Sequence, residues 1–259
     1  MKKTALITGA SSGLGKEFAR IHAAAGGDVI LTARREDALI DLKQELEAAH
    51  AIKAHVFALD LGATGGADAL YEAVRSAGLS VDILVNNAGF GGQGVHVERA
   101  LADEHAMIDL NVKALVTLTH RFGADMATRG GGKILNVGST AGFLPGPNQA
   151  VYFATKAFVN SFSQAVDQEL RDKGVTVSVL APGYVETEFA QAANLEETAM
   201  VKAGGAQPAD VAEFGYHAMM DGKLIAINDW KLSFLLNWIL PLFPRRSVLR
   251  MVGKGQQVN

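Results

Sequence analysis

Thr4-Ala5-Leu6-Ile7-Thr8-Gly9-Ala10-Ser11-Ser12-Gly13-Leu14-Gly15 runs from an apolar stretch into a glycine-rich turn, and helical spacing begins at Leu14. Glycines let a backbone turn sharply and approach a ligand closely. A helix that opens just behind them favours an anionic group such as a pyrophosphate at its N-terminus. The turn is not a Walker-type phosphate loop. One residue too many separates Gly9 from Gly15-Lys16, and Glu17 stands where a Ser or Thr would hold magnesium. A glycine turn alone is weak evidence for a nucleotide; its place between a first strand and a first helix gives it weight.

The alternation set up by this unit repeats along the chain. Short apolar runs at 6–7, 28–32, 55–58, 83–85, 133–137, 176–180 and 224–227 read as strands. They are continuous and rich in β-branched residues, as strands covered on both faces are. Helical spacing fills 14–25, 37–49, 67–77, 102–126, 148–173 and 208–220, and Gly26, Gly78, Gly130 and Gly174 follow four of these as stops. The pattern predicts an α/β fold: a single-domain, Rossmann-type, doubly wound parallel sheet of about seven strands with helices on both faces. Ligands then sit at the carboxyl ends of the strands. No repeat or linker divides the chain, so 1–259 reads as one domain, with a core over 1–228 and an apolar, basic C-terminal extension over 229–259.

Composition narrows the function. A hydrophobic content of 49% over 259 residues supplies one substantial core, and a net charge of −3 offers no basic face for nucleic acid. There is no cysteine, which removes disulfides and thiol nucleophiles and favours an intracellular, cytoplasmic setting. Met1-Lys2-Lys3 resembles the start of a signal peptide, but the apolar run behind it is too short. No span approaches the length of a transmembrane helix. The seven histidines show no metal-ligand spacing and read as surface or packing residues, so no metal is expected.

Other stretches carry chemistry. Ala33 stands at the end of the second strand, where an NAD site places a carboxylate, and Arg34 and Arg35 follow. Guanidinium groups suit a 2′-phosphate, which favours NADP (NADPH) over NAD; two solvated arginines are the plainer alternative. Asp60-Leu61 fits a carboxylate that accepts from an adenine amino group. Asn86-Asn87-Ala88-Gly89 ends the fourth strand, with small residues to lie against a ribose and amides to tie strand ends together. Asn111 interrupts an apolar helix, either as a satisfied core group or as a working amide. Ser139 closes an apolar run, and Tyr152 and Lys156 lie four residues apart on one helix face. A free phenol has a pKa of about 10. A neighbouring cation favours the phenolate, so Lys156 is expected to lower the pKa of Tyr152 and make it a usable proton donor and acceptor.

From Thr4 to Asn228 these motifs, with Pro182-Gly183 and Thr187, resemble those of the short-chain dehydrogenase/reductases. The resemblance implies a catalytic set of Asn111, Ser139, Tyr152 and Lys156. Tyr152 would exchange the proton while hydride passes between nicotinamide C4 and a small-molecule carbonyl or alcohol substrate. Lys156 would tune Tyr152 and bond the nicotinamide ribose, Ser139 would orient the substrate oxygen, and Asn111 would hold a water that relays protons to Lys156. It implies cofactor contacts from Gly9, Ser11, Ser12, Gly13, Leu14, Gly15, Asp60, Leu61, Asn87, Ala88 and Gly89, and from Pro182, Gly183, Val185 and Thr187 beside the nicotinamide. The Ala33-Arg34-Arg35-Glu36 loop looks like that of NADP-using members, although Ser12 stands where some of them carry a base. Family habit implies a homodimer or homotetramer built on the long helices that start near Ala102 and Asn148. A cofactor-binding regulator without turnover is the alternative from another class; the intact residue set argues against it.

Two stretches should shape the substrate pocket, 90–94 as a flexible glycine-rich rim and 143–145 as an apolar wall. Tyr184 and the segment 189–206 read as a lid. The tail is intensely apolar over 234–243, and from Lys231 onward it carries Lys231, Arg245, Arg246, Arg250 and Lys254 with no acid. Packing over the substrate site or a subunit interface is the expectation, and peripheral contact with an anionic membrane surface the alternative. Pro241 argues against deep insertion.

Overall fold

Aliphatic and β-branched runs become strands because both of their faces are covered. The computed structural model describes residues 2–256 and contains β1 (Thr4–Thr8), β2 (Asp28–Ala33), β3 (Ala54–Ala58), β4 (Ile83–Asn86), β5 (Gly132–Val137), β6 (Val175–Leu180) and β7 (Ile225–Ala226). They form one parallel, seven-stranded sheet of order β3-β2-β1-β4-β5-β6-β7. Leu6 and Ile7 are both fully buried but belong to opposite cores. Ile7, Leu31, Val85 and Leu135 face α1 (Gly13–Ala24), α2 (Glu36–Ala49) and α9 (Pro208–Met220). Leu6, Ile30, Leu84 and Ile134 face α3 (Gly66–Ser76) and α5 (Leu115–Thr128). This is the expected single-domain, doubly wound arrangement, and the strand order reverses between β1 and β4, where such sheets bind ligands.

The helix stops fall as expected. Gly26, Gly78, Gly130 and Gly174 all adopt left-handed backbone, with φ of 80°, 69°, 79° and 76°. The helix expected over 102–126 is not one regular helix. It consists of α4 (Leu101–Ile108), a π-helical turn (Asp109–Ala114) and α5, so one extra residue is looped into its middle at Asn111. The helix expected from 148 begins two residues later as α6 (Ala150–Leu170), because Asn148 is held at φ 66°. The lid contains α7 (Phe189–Ala192) and α8 (Ala199–Lys202), and Ala190, Ala193 and Leu195 give it a small core of its own.

Among the described residues the tail is mostly helical. Asp229 caps α10 (Trp230–Phe234) by accepting from the backbone N–H groups of Lys231 and Leu232 at 2.8 and 3.1 Å. A π-helical turn (Leu235–Ile239) and a 3-10 turn (Leu240–Leu242) extend it, and α11 (Arg245–Gly255) folds back. Leu236, Leu240 and Val248 bury against Phe143 and Leu144, so the tail packs on the stretch expected to wall a substrate pocket.

Candidate active site

Gly9 and Gly13 sit at φ 66° and 52°, conformations that side chains disfavour. A Cβ on Gly15 would lie 2.2 Å from the Gly9 carbonyl oxygen, so the turn folds tightly on the start of α1. Ser12 precedes that helix without capping it through its side chain, and the first turn holds no acid, which leaves its N–H groups facing the cleft. The opposite wall is locked to the turn. The Thr8 hydroxyl accepts from the N–H groups of Asn87 and Ala88 at 2.9 Å each, and Asn87 Nδ2 donates to the Thr8 carbonyl at 2.9 Å. Asn86 Nδ2 bonds Asn136 Oδ1 at 2.9 Å and Thr119 Oγ1 at 3.0 Å, so the asparagines do tie the strand ends.

A single cavity of about 820 Å³ runs from this turn to the tail. Of the residues singled out by sequence, Gly9, Ser11, Ser12, Gly13, Leu14, Arg34, Arg35, Asp60, Leu61, Asn87, Ala88 and Gly89 line one part. Ser139, Tyr152, Lys156, Pro182, Gly183, Val185 and Thr187 line the rest. Gly15 and Asn111 stand behind the wall. The cradle without Cβ atoms, the exposed helix N-terminus and the basic end suit a dinucleotide.

At the other end, Lys156 Nζ donates to the Val137 carbonyl at 2.8 Å and lies 5.8 Å from the centre of the Tyr152 ring. Burial pulls the Lys156 pKa down to about 8. Tyr152 opens partly on the cavity, yet protein atoms crowd its phenol closely enough that burial pushes its pKa up to about 12, with the Ser139 hydroxyl opposing. The expected lowering by Lys156 is therefore corrected for the protein alone: desolvation raises the phenol, and the one opposing influence is the Ser139 hydroxyl rather than the cation.

Asn111 is buried. Its Nδ2 donates to the Phe90 carbonyl at 2.9 Å and to Thr155 Oγ1 at 3.2 Å, and its Oδ1 accepts from the Phe90 N–H at 3.1 Å. Both amide hydrogens are committed to protein atoms, and one lone pair of Oδ1 remains for the water that the resemblance assigns to it. The same bonds hold one end of the 90–94 rim. Arg99 holds the other, donating to the Gln93 carbonyl at 2.8 Å while paired with the buried Glu104, so the rim expected to be flexible is tied down.

Several functional residues escaped the sequence reading. Asn160 donates to the Ser139 carbonyl at 3.1 Å and fills the space beside Gly138 and Gly142, where a Cβ would come within 2.1 and 2.4 Å of its amide. Its signal was an amide on the buried face of α6, four residues after Lys156. Glu188 pairs with Arg35 at 2.9 Å across the cleft, a contact between distant loops that no local pattern announces. Gln149 and Gln256 are buried and bonded to each other at the substrate end.

A family profile described as short chain dehydrogenase matches residues 3–198. The chain belongs to the short chain dehydrogenase family. Among curated members of the family, sulfoacetaldehyde reductase 2 of Chromohalobacter salexigens is 39% identical over 214 residues, 82% of this chain and 81% of that protein. A short-chain dehydrogenase from Sphingobium yanoikuyae, solved in complex with NADPH, superposes with a TM-score of 0.84 at 26% identity over 99% of both chains. A member from Burkholderia phymatum in complex with NAD gives a TM-score of 0.81 at 25% identity, over 99% of this chain and 97% of its own. The chain is thus an oxidoreductase of this family with its characteristic fold.

Proposed function

We propose that this enzyme is an NADP(H)-dependent oxidoreductase that interconverts a carbonyl and an alcohol, with Tyr152 as general acid and base. One observation carries the reading: Tyr152, Lys156 and Ser139 meet at one end of a cavity whose other end is a dinucleotide cradle with two arginines at its rim. The nicotinamide supplies the hydride when bound. The chain supplies the proton and the orientation. A phenol held at about 12 is protonated at neutral pH and ready to donate to a developing alkoxide. Lys156, fixed by Val137, stabilises the phenolate left behind, and Ser139 presents a hydroxyl to the substrate oxygen.

For the cofactor, solved neighbours with NADPH and with NAD support a nicotinamide dinucleotide. The choice of NADP rests on this chain's own residues. Ala33 offers no carboxylate, and Arg34 is exposed at the cleft and makes no ion pair among the described residues. Arg35 is already engaged with Glu188 and Ser11, so Arg34 is the main 2′-phosphate ligand.

The substrate we infer is a neutral, partly apolar carbonyl compound. The substrate end is walled by Phe90, Leu144, Phe153, Phe189, Leu232 and Leu236, and the only cations lining the cavity among the described residues are Arg34, Arg35 and Lys156. A sulfonate of the kind named for the 39% identical relative would find no spare counter-ion there. Assembly as a homodimer or homotetramer through α4, α5 and α6 accords with the partly exposed Phe158 stacked on Phe162. The test of the central claim is NADPH oxidation over a panel of ketones and aldehydes. Tyr152→Phe should lower kcat about a hundredfold or more while NADPH binding persists. No turnover of any carbonyl despite tight NADPH binding would refute catalysis.

A further inference from the structure

The tail has two apolar faces, and the fold uses only one. Leu232 and Leu236 line the substrate cavity, and Leu240 and Val248 close the cluster behind it. The other face carries Trp230, Trp238 and Leu242, 74%, 68% and 82% exposed, beside Phe234 and Phe243, each 55% exposed. Bulky apolar residues occur singly on most protein surfaces, but five within fourteen consecutive positions make an extended patch of the kind that marks a contact surface. Lys231, Arg245, Arg246 and Arg250 are exposed on the same stretch, and no acid lies anywhere after Asp229.

We propose that this outer face docks the enzyme on an anionic lipid bilayer, with the helix pair lying in the interface. Tryptophans flanked by arginines and lysines suit the headgroup region, where the rings meet acyl chains and the cations meet phosphates. A second copy of the chain fits less well. Two-fold pairing sets a patch against itself, and here that would oppose clusters of like charge. The charge is also divided to suit a surface. From Lys231 onward the tail carries five cations and no acid, and against a whole-chain charge of −3 the remainder is strongly acidic, so an anionic surface attracts the tail and turns the body away. Among the described residues no helix is long and apolar enough to cross a membrane, and Pro241 ends the helical run after α10 within a few residues, which keeps the contact interfacial. Because the inner face of the same helix walls the cavity, docking sets the substrate pocket about one helix diameter, some 10 Å, from the acyl chains.

The experiment is co-sedimentation of the full-length enzyme with vesicles of phosphatidylcholine alone or containing about 30% phosphatidylserine. The wild type should pellet with the anionic vesicles, at least about tenfold more than with the neutral ones. The triple variant Trp230→Ser/Trp238→Ser/Leu242→Ser should lose this binding, as should Arg245→Gln/Arg246→Gln. None of these residues lines the cavity, so NADPH oxidation with a soluble carbonyl, unchanged in both variants, shows that they are folded. A wild type that stays in the supernatant with anionic vesicles overturns the proposal, as does equal binding by the triple variant. A triple variant of lower mass than the wild type in lipid-free sedimentation overturns it too, because the patch is then a contact between copies.

Discussion

Removing the Lys156 side-chain charge should change how stability depends on pH, and the structure sets the size of the effect. The ammonium is buried, and burial brings its pKa from 10.5 down to about 8. Between these values the unfolded chain holds a proton that the folded chain has released, so unfolding takes up a proton and stability rises with pH. Below about pH 8 both states are charged, and the folded state carries the whole desolvation penalty, roughly 3 kcal/mol at 1.36 kcal/mol per unit. Lys156→Met has no such group. Its lost bond to Val137 shifts its stability by an amount that does not depend on pH, so the comparison across pH isolates the titration. Urea unfolding of both proteins without cofactor, at about pH 7 and about pH 9.5, should show the wild type gaining roughly 2 kcal/mol relative to the variant. The variant should also be inactive at both. A stability difference that stays constant across this range would show that Lys156 titrates as an ordinary surface lysine, and the argument that burial sets its charge would fail with it.

Arg34→Ala should raise the KM for NADPH about tenfold, the lower end for a charge-assisted bond at an exposed site, and leave that for NADH unchanged; equal losses would remove the 2′-phosphate assignment. Gly91→Ala places a Cβ 2.7 Å from Phe189 Cζ and 3.3 Å from the Tyr152 ring, so Phe189 must shift where it packs on that ring. Its kcat/KM should fall roughly ten- to a hundredfold, and an unchanged value would show that Phe189 does not pack on the working site. His22 is buried between the Tyr216 hydroxyl at 2.9 Å and the Lys3 carbonyl at 3.0 Å, and burial lowers its pKa below 6.5. As pH falls through that ordinary value the unfolded chain takes up a proton before the folded one does, so stability is lost on acidification. His22→Asn should flatten that part of a thermal-unfolding profile; an unaltered slope would place the effect elsewhere.

The sheet was legible because parallel strands buried on both faces have no polar alternation to confuse them, and the glycine stops were legible because each adopts a conformation that glycine favours. The residues of the cleft could be named one by one, since the turn, the strand ends and the start of α6 each carry chemistry in a few consecutive positions. What stayed hidden depends on contacts between distant loops. Glu188 meets Arg35 only after the lid crosses the cleft, and Asn160 reaches Ser139 only because Gly138 and Gly142 leave it room. The raised pKa of Tyr152 is hidden for a related reason: spacing shows the cation four residues away, but not how many atoms exclude water from the phenol.

The π-helical turn at Asp109–Ala114 constrains how this chain can vary in length. Each residue of an α-helix advances the phase by about 100°. A one-residue deletion within regular α4 or α5 would therefore turn one helix by that angle against the other, exposing Glu104 and Met107 and breaking the partnership of Arg99 with Glu104. The wider turn escapes this, because it takes up its extra residue without rotating the helices on either side. Deleting one residue there would restore regular winding and leave both buried faces in place. What it would remove is the displaced backbone that aims Asn111 at Phe90 and Thr155, so such a deletion should spare stability and cost activity.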